Sequence, residues 1–205
     1  MKSLLSLETK NDNIMTKILP PDFQDTRYGL TFRFVNEGDA EFIYKLRSDS
    51  QLSKYIHDIQ GGVQQQVEWI KAYKQREAAG EEYYFIYFKD GEPVGLNRLY
   101  SFHDTTFTGG SWVMVPNSPM EVVLATSIIN REVAFEDLGM EFEDDYDATH
   151  IENKKVIKFN KMFGAKIYKH FMDVKGEYVA MSLTKEDFEA NKPRLVKMLN
   201  LDNNE

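Results

Sequence analysis

The 205-residue chain contains no cysteine, which excludes disulfide scaffolds, thiol nucleophiles and thiolate metal sites. This absence suits a reducing compartment. Long apolar runs are also missing, since nothing in the sequence approaches the roughly 20 apolar residues that cross a bilayer. The opening run, M-K-S-L-L-S-L-E-T-K, has too short an apolar stretch for a signal peptide. We therefore expect a soluble, cytoplasmic protein that does not bind a membrane.

A positive charge excess is absent as well. Lys and Arg number 25 against 33 Asp and Glu, and the formal net charge is −8. A phosphate backbone is bound mainly through a positive surface, so this balance argues against a nucleic-acid partner. The acidic residues cluster at Glu141, Glu143, Asp144, Asp145 and Asp147. We interpret this cluster as a solvated loop edge; the alternative is a patch that attracts a cationic amine.

Apolar residues, in contrast, make up 42% of the chain and aromatic residues 13%, which is enough to bury the core of one domain. Residues 1–28 show weak periodicity and include Pro20-Pro21, so we interpret them as an N-terminal extension. Residues 29–205 are expected to form a single domain.

Hydrophobic periodicity within that domain predicts a strand at L-T-F-R-F-V, two helices, and then three strands, Y-Y-F-I-Y-F, P-V-G-L-N-R-L-Y-S-F and F-T-G-G-S-W-V-M-V. Asp90-Gly91 favours a hairpin turn between the first two of these three. Gly109-Gly110 predicts a bulge or a close backbone approach in the third. The three strands should form an antiparallel meander.

The second half of the chain begins with a helix start at S-P-M-E, where Ser118 and Glu121 have the spacing of a capping box. A strand at Y-D-A-T-H-I, a helix from Asn153, two closing strands and a helix from Thr184 follow. The predicted order is β-α-α-β-β-β-α-β-α-β-β, a mixed α/β sheet with helices on its faces.

The stretch N-K-K-V-I-K-F-N-K-M-F-G-A is the most informative of these elements. Asn153 is a good helix N-cap, and Gly164 suits the left-handed residue that closes a helix. Apolar residues recur at helical spacing between them: Val156, Phe159 and Phe163. Asn160 interrupts that stripe, and a buried amide without partners costs about 1–3 kcal/mol.

Several common catalytic motifs are missing. There is no G-x-G-x-x-G after a strand, no Walker lysine loop and no G-x-S-x-G elbow. The histidines are scattered, without a pair at helical ligand spacing, so we predict no metal site. Ser/His/Asp chemistry is left open, although nothing in the sequence favours it.

The element order, with N-x-x-V-x-x-F-x-x-x-F-G-A at its centre, resembles the GNAT N-acetyltransferase superfamily over residues 30–185. It looks closest to the branch with ribosomal-protein and amino-sugar acetyltransferases. The resemblance implies an acyl-CoA N-acyltransferase fold of the α+β type, in which a mostly antiparallel sheet splays between its fourth and fifth strands. The co-substrate would be acetyl-CoA, whose pantetheine arm pairs with the free main chain of the fourth strand.

By this resemblance, the main chain of the fourth strand and the side chains of the Asn153 helix would hold the co-substrate. The implied cofactor-binding residues are Val113, Met114, Val115, Ser118, Met120, Asn153, Lys155, Val156 and Phe159. An amine would attack the thioester directly while a main-chain N–H stabilises the developing oxyanion. Direct transfer needs no protein nucleophile, in agreement with the missing cysteine.

Two features depart from the family pattern. A glycine-rich turn usually binds the pyrophosphate at a helix N-terminus; here Pro119 removes one donor, Ser118 can occupy another, and Glu121 adds negative charge. We therefore expect weaker phosphate contacts, with Lys154 and Lys155 as the compensating alternative. Asn160 stands where many members carry a tyrosine that protonates the leaving thiolate, and an amide can hydrogen-bond the sulfur but cannot act as that acid.

The predicted catalytic residues are Asn160 and His150. His150, with Asp147 nearby, is the candidate general base because histidine titrates in the useful range; the alternative is a half-buried strand histidine without a role. His57-Asp58 is a second candidate pair near the acceptor end. The candidate aromatic residues for the walls of the acceptor site are Tyr44, Tyr55, Trp69, Tyr83, Tyr84 and Tyr100. The alternative is that most of them fill the core.

The sequence thus predicts an acetyl-CoA-dependent N-acetyltransferase that acts on a primary amine. The acceptor would be an amino sugar, for example a nucleotide-linked one, a protein N-terminus or a polyamine. The alternative is a non-catalytic GNAT-like module that binds acyl-CoA or a partner protein. A homodimer is left open.

Overall fold

The computed structural model describes residues 17–52, 55, 61–144 and 148–199. They form one sheet and five helices. The strands are β1 (Gln24–Arg27), β2 (Leu30–Phe34), β3 (Tyr83–Lys89), β4 (Glu92–His103), β5 (Thr106–Met114), β6 (Phe142–Asp144), β7 (Thr149–His150), β8 (Lys166–Asp173) and β9 (Gly176–Thr184). The helices are α1 (Ala40–Ser48), α2 (Val63–Ala78), α3 (Met120–Glu132), α4 (Lys154–Met162) and α5 (Lys185–Lys197), and α3 continues into a π-helical segment, Val133–Asp137.

The sheet order is β1-β2-β3-β4-β5-β6-β9-β7, and β8 pairs with β9. Neighbouring strands are antiparallel except β5 and β6, which run parallel. Within the described ranges, this parallel ladder pairs Thr106 with Phe142 and Phe107 with Glu143 and continues no further. β7 pairs with β9 instead. The predicted splay between the fourth and fifth strands is therefore confirmed, and it opens between β5 and β7.

Helices cover both faces of the sheet, as predicted. One core joins β2, β3 and β9 to α3 and α5 and takes in Ile157 and Phe163 of the α4 segment. The other core joins the opposite face of β3 and β4 to α1 and α2 through residues such as Ile43, Ile70 and Tyr84. Among the described helices, none is long and apolar enough to cross a membrane.

Three local predictions differ from the structure. Residues 24–27, assigned to the N-terminal extension, form β1 and pair with β2 across a turn in which Tyr28 and Gly29 have positive φ. Of the strand predicted at 146–151, residues 146 and 147 lie outside the described ranges and Thr149–His150 form β7; β6 lies in the acidic segment that we interpreted as a loop. The capping box is wrong, because Pro119 is the N-cap of α3 and the Ser118 hydroxyl donates to the Val115 carbonyl at 2.7 Å.

Candidate active site

A groove of about 1630 Å³ runs through the opening between β5 and β7. Its walls come from α3 and α4 on one face of the sheet and from α1 and α2 on the other, and the β8–β9 hairpin contributes further lining residues. Gly109 and Gly110 line the point where the two halves meet. The predicted irregularity is present here: Leu96 pairs with Val113 but Arg98 pairs with Gly110, so β5 holds one extra residue, and Ser111 has a φ of 50°.

Past the part of β5 that lines the groove, Gly109, Gly110, Ser111 and Trp112, the edge of the strand that faces away from β4 carries main-chain polar groups. Val115 donates its N–H to the Val94 carbonyl at 2.9 Å, which makes Val94 and Val115 a hydrogen-bonded pair. Such pairs alternate along an antiparallel ladder, so Met114, opposite Gly95, directs its N–H and C=O away from β4 and towards the opening. Of the three main-chain ligands predicted, Met114 therefore has this orientation, whereas Val113 and Val115 face β4.

The turn before α3 differs from the prediction at Ser118, whereas Pro119 and the acidic Glu121 stand at the helix start as expected. The Ser118 hydroxyl and N–H both bond to the Val115 carbonyl, at 2.7 and 3.2 Å, so this side chain occupies no first-turn donor. The Pro119 carbonyl accepts from Val122 and Val123. The N–H groups of Met120 and Glu121 come before Val122 in the first turn, so they have no carbonyl partner within the helix and can donate to a ligand. The Met120 side chain is 65% exposed.

Helix α4 forms the other wall of the cofactor half. Asn153 is its N-cap residue, as predicted, but its side chain makes no capping hydrogen bond. Asn153, Lys155 and Val156 line the groove. Phe159 packs against the Trp112 ring with centroids 4.9 Å apart, and so supports the wall from behind. Gly164 closes the helix with a φ of 103°, as predicted.

A buried ionic network lies where β5 and β6 diverge. Arg131 of α3 donates from Nε and Nη2 to the two oxygens of Glu143 at 2.6 and 3.0 Å. Its Nη1 bonds to Ser127, and its guanidinium lies 4.3 Å from the centroid of the Phe163 ring. The Glu143 side chain is only 14% exposed, so the interpretation of this residue as part of a solvated edge is wrong. Asp145 and Asp147 fall outside the described residues.

Asn160, the residue that interrupted the apolar stripe, belongs to this network. Its Oδ1 accepts from Arg131 Nη2 at 3.2 Å. Because a guanidinium only donates hydrogen bonds, the carbonyl end of the amide must face Arg131. The NH₂ end is therefore the part of Asn160 that is left for the groove, which this residue lines.

The second predicted catalytic residue, His150, lines the acceptor half. Its Nδ1 accepts the Glu152 N–H at 3.2 Å, so the neutral ring carries its proton on Nε2. The ring packs between Tyr55 and Tyr178, with centroids 5.7 and 5.0 Å away. Proton uptake by His150 requires Nδ1 and would break the bond to Glu152. His57 and Asp58 lie outside the described residues.

Four of the six aromatic residues predicted for the acceptor side line the groove: Tyr44, Tyr55, Trp69 and Tyr100. Tyr83 and Tyr84 are instead buried in the two cores, with exposed fractions of 1% and 0%. The strand Y-Y-F-I-Y-F is central, so both of its faces are covered and neither tyrosine can reach the site.

The sequence interpretation missed the arginines of this site. Arg98 and Arg131 both line the groove, but each lies in an apolar strand or helix where its partner is distant in the chain. A charged residue inside an otherwise apolar strand or helix could have identified both arginines, because charged side chains are almost never buried without a partner. The predicted absence of a metal site stays a prediction; among the described residues, no three metal-binding side chains cluster.

Three solved structures illustrate what the chain is similar to. FdhC, a nucleotide-linked sugar GNAT in its apo form, is 33% identical, with a TM-score of 0.75 over 87% of this chain and 99% of the relative. A ribosomal-protein-S5-alanine acetyltransferase from Vibrio fischeri is 10% identical, with a TM-score of 0.70 over 82% and 99% of the two chains. A spermidine N-acetyltransferase from Vibrio cholerae, in complex with CoA and spermine, is 14% identical, with a TM-score of 0.67 over 80% and 99%. The last two show a shared fold alone. No protein-family model and no curated protein matches the sequence.

Proposed function

This chain belongs to the GNAT superfamily and is an N-acetyltransferase, and on that basis we propose that it transfers the acetyl group of acetyl-CoA to the primary amine of a nucleotide-linked amino sugar. The observation that carries the proposal is the charge of the groove. Support also comes from the 33% identical relative, which is itself a nucleotide-linked sugar GNAT. We place the reaction in the cytoplasm; a homodimer stays a prediction.

Among the described residues, the groove lining carries more positive than negative side chains, although the chain as a whole carries a net charge of −8. Within that part of the chain, the cationic lining residues are Arg47, Arg98, Arg131, Lys154, Lys155 and Lys175, and the anionic ones are Glu143, Glu152 and Asp173. A cleft of one sign concentrates ligands of the opposite sign. Both proposed substrates, acetyl-CoA and a nucleotide-linked sugar, carry phosphates. A polyamine is a cation and is disfavoured by the same field.

The arrangement supports direct transfer. The acceptor amine forms a bond to the acyl carbon, the carbon–sulfur bond breaks, CoA leaves as a thiolate, and one amine proton passes to a base, a role proposed below for His150. Main-chain N–H groups on the open edge of β5, such as that of Met114, stabilise the oxyanion that develops on the acyl oxygen. Asn153, Lys155 and Val156 position the pantetheine arm from the α4 side, and holding both reactants in one cleft supplies much of the rate.

We assign Asn160 the role of a hydrogen-bond donor to the leaving sulfur through its NH₂ group. Asn160→Asp keeps the shape and the bond from Arg131 but loses that donor. We expect kcat to fall about 10–100-fold, the size of one hydrogen bond to a charged group, while the Kd of CoA measured by calorimetry changes little. Asn160→Ala serves as the second variant, and an unchanged kcat in both would remove the role.

His150 is proposed as the base that accepts the amine proton, at Nδ1, after the bond to Glu152 opens. The matched variant is His150→Phe, which retains ring packing against Tyr55 and Tyr178 but cannot take a proton. If His150 is the base, kcat/KM of the wild type should fall at low pH as His150 becomes protonated. This fall should be absent from the pH profile of His150→Phe. An unchanged profile would leave water as the proton acceptor.

The proposed function is tested by a thiol-release assay with acetyl-CoA and a panel of amines. The panel contains UDP- and dTDP-linked amino sugars, the matching free amino sugars, spermidine and a peptide with a free N-terminus. We expect CoA release with at least one nucleotide-linked sugar and a lower kcat/KM for the other classes. Release with the peptide or spermidine alone would contradict the proposed acceptor. Binding of acetyl-CoA without release on any amine would favour the non-catalytic alternative.

A further inference from the structure

The acceptor half of the groove contains one guanidinium that is fixed in place yet only partly paired. Arg98 extends from β4 opposite Gly110, next to the bulge of β5. Its Cζ lies 4.7 Å from the centroid of the Tyr100 ring and 5.5 Å from that of Trp69, so two aromatic residues hold the planar group. The Arg98 side chain is 22% exposed. Its position is thus set before any substrate enters.

The charge of Arg98 is not fully balanced. Its Nη2 pairs with Glu82, whose side chain is 4% exposed, but the other oxygen of Glu82 is bound by Arg76 Nε at 2.7 Å. One carboxylate thus serves two guanidinium groups. Burial lowers the pKa of Arg98 from its usual value; Tyr100 and Tyr73 oppose this shift, and the charges of Arg76 and Arg47 add to it. Burial and nearby positive charges both disfavour the charged form of Arg98, and an anion bound beside it would stabilise that form.

Arg98 also retains free donors. Among the described residues, its Nη1 has no hydrogen-bond partner, and its Nε is buried without one. The Nη1 group can donate to a phosphate oxygen, whereas the buried Nε–H points away from Nη1 and cannot share that phosphate. Arg76, in contrast, pairs with the same Glu82 but does not line the groove.

We propose that Arg98 is the anchor for the phosphate adjacent to the sugar in the acceptor. The inference deepens the proposed function and rests on it. A phosphate held beside Gly110 fixes the sugar near the bulge of β5 and leaves its amine facing the cofactor half. The same guanidinium repels cationic acceptors, so one residue both binds the nucleotide-linked class and rejects polyamines.

The test compares Arg98→Met and Arg98→Lys with Arg76→Met, which removes the other partner of Glu82 but no groove residue. In Arg98→Met, we expect KM for the nucleotide-linked amino sugar to rise about 10–100-fold, with KM for the matching free amino sugar unchanged. In Arg98→Lys, KM for the nucleotide-linked sugar should rise less than in Arg98→Met, because an ammonium keeps the positive charge but lacks the planar guanidinium that stacks on aromatic rings. Arg76→Met leaves Glu82 to Arg98 alone, so we expect a much smaller rise of KM for the nucleotide-linked sugar than in Arg98→Met and no change for the free sugar. Melting temperatures establish that each variant folds.

A second readout uses UDP and dTDP as inhibitors that compete with the acceptor, and it requires no knowledge of the sugar. We expect inhibition of the wild type and its loss in Arg98→Met and, in part, in Arg98→Lys. Equal losses with free and nucleotide-linked sugars, or the same effect in Arg76→Met, would overturn the anchor. If the wild type acetylates only free amino sugars or peptides and neither diphosphate competes, the proposed acceptor class fails and the anchor fails with it. If the wild type acetylates nucleotide-linked sugars and Arg98→Met has the same KM for them, the role of Arg98 is wrong while the proposed acceptor class stands.

Discussion

Replacing Gly110 by valine is expected to lower kcat/KM by more than about 100-fold, the cost of small misplacements of reacting groups. Gly110 lies where the cofactor and acceptor halves of the groove meet. A Cβ there would lie 2.7 Å from Tyr100 Oη and 2.8 Å from Tyr100 Cε1. The β-branched side chain would therefore displace the Tyr100 ring, release Arg98 and fill the passage through which the amine reaches the thioester.

The measurement is steady-state kinetics, together with calorimetry of CoA binding, which should change little because the substitution lies beyond the pantetheine arm. Thr106→Val places an isosteric valine on the same strand, β5, outside the groove, and should retain wild-type activity. A Gly110→Val enzyme with more than a tenth of the wild-type kcat/KM would contradict a reaction path through this opening.

The largest stability effect is expected for Arg131→Met. This change leaves the Glu143 carboxylate, with a side chain only 14% exposed, without its bidentate partner. It also removes the donor that fixes Asn160. Breaking a buried ion pair on one side costs about 3–5 kcal/mol, because a charge stays buried without compensation. We expect a corresponding fall in the free energy of unfolding from urea titration.

Two further variants separate the causes. Arg131→Met combined with Glu143→Leu removes both charges and should recover much of the loss, since a buried pair replaced by apolar residues is often nearly neutral. Lys166→Met breaks an exposed pair with Asp187, in which the lysine side chain is 71% exposed, and should cost about 0–1 kcal/mol. A loss below about 1 kcal/mol in Arg131→Met would show that the network does not stabilise the divergence of β5 and β6.

Two local features of the cofactor half could be predicted from the sequence. Asn153 and Gly164 mark the two ends of α4, and Gly109-Gly110 marks the irregular part of β5, because caps and bulges depend on a few neighbouring residues. The same local reasoning was wrong at Ser118, whose hydroxyl finds the Val115 carbonyl instead of a first-turn amide. Two acceptors close in sequence competed there, and the conformation of the turn decided between them.

The charged and polar pairs of the site depended on contacts between distant residues. Glu82 and Arg98 are 16 positions apart, and Arg131 and Asn160 are 29 apart. No periodicity encodes such pairs, since they form only when strands and helices pack. Tyr83 and Tyr84 illustrate the same limit: the sequence supplies aromatic residues, but the position of β3 inside the sheet buries these two.

The sequence by itself determined most of the order of the elements and the helix that follows Asn153, and both indicate the family. These features depend on hydrophobic periodicity and cap residues, which involve only residues close together in the chain. Only the tertiary structure decided which charges meet. It placed Arg131 against Glu143 and Asn160, and it left Arg98 facing the groove, because desolvation and ion pairing depend on three-dimensional neighbours. The chemistry of the cleft follows from that second set of contacts.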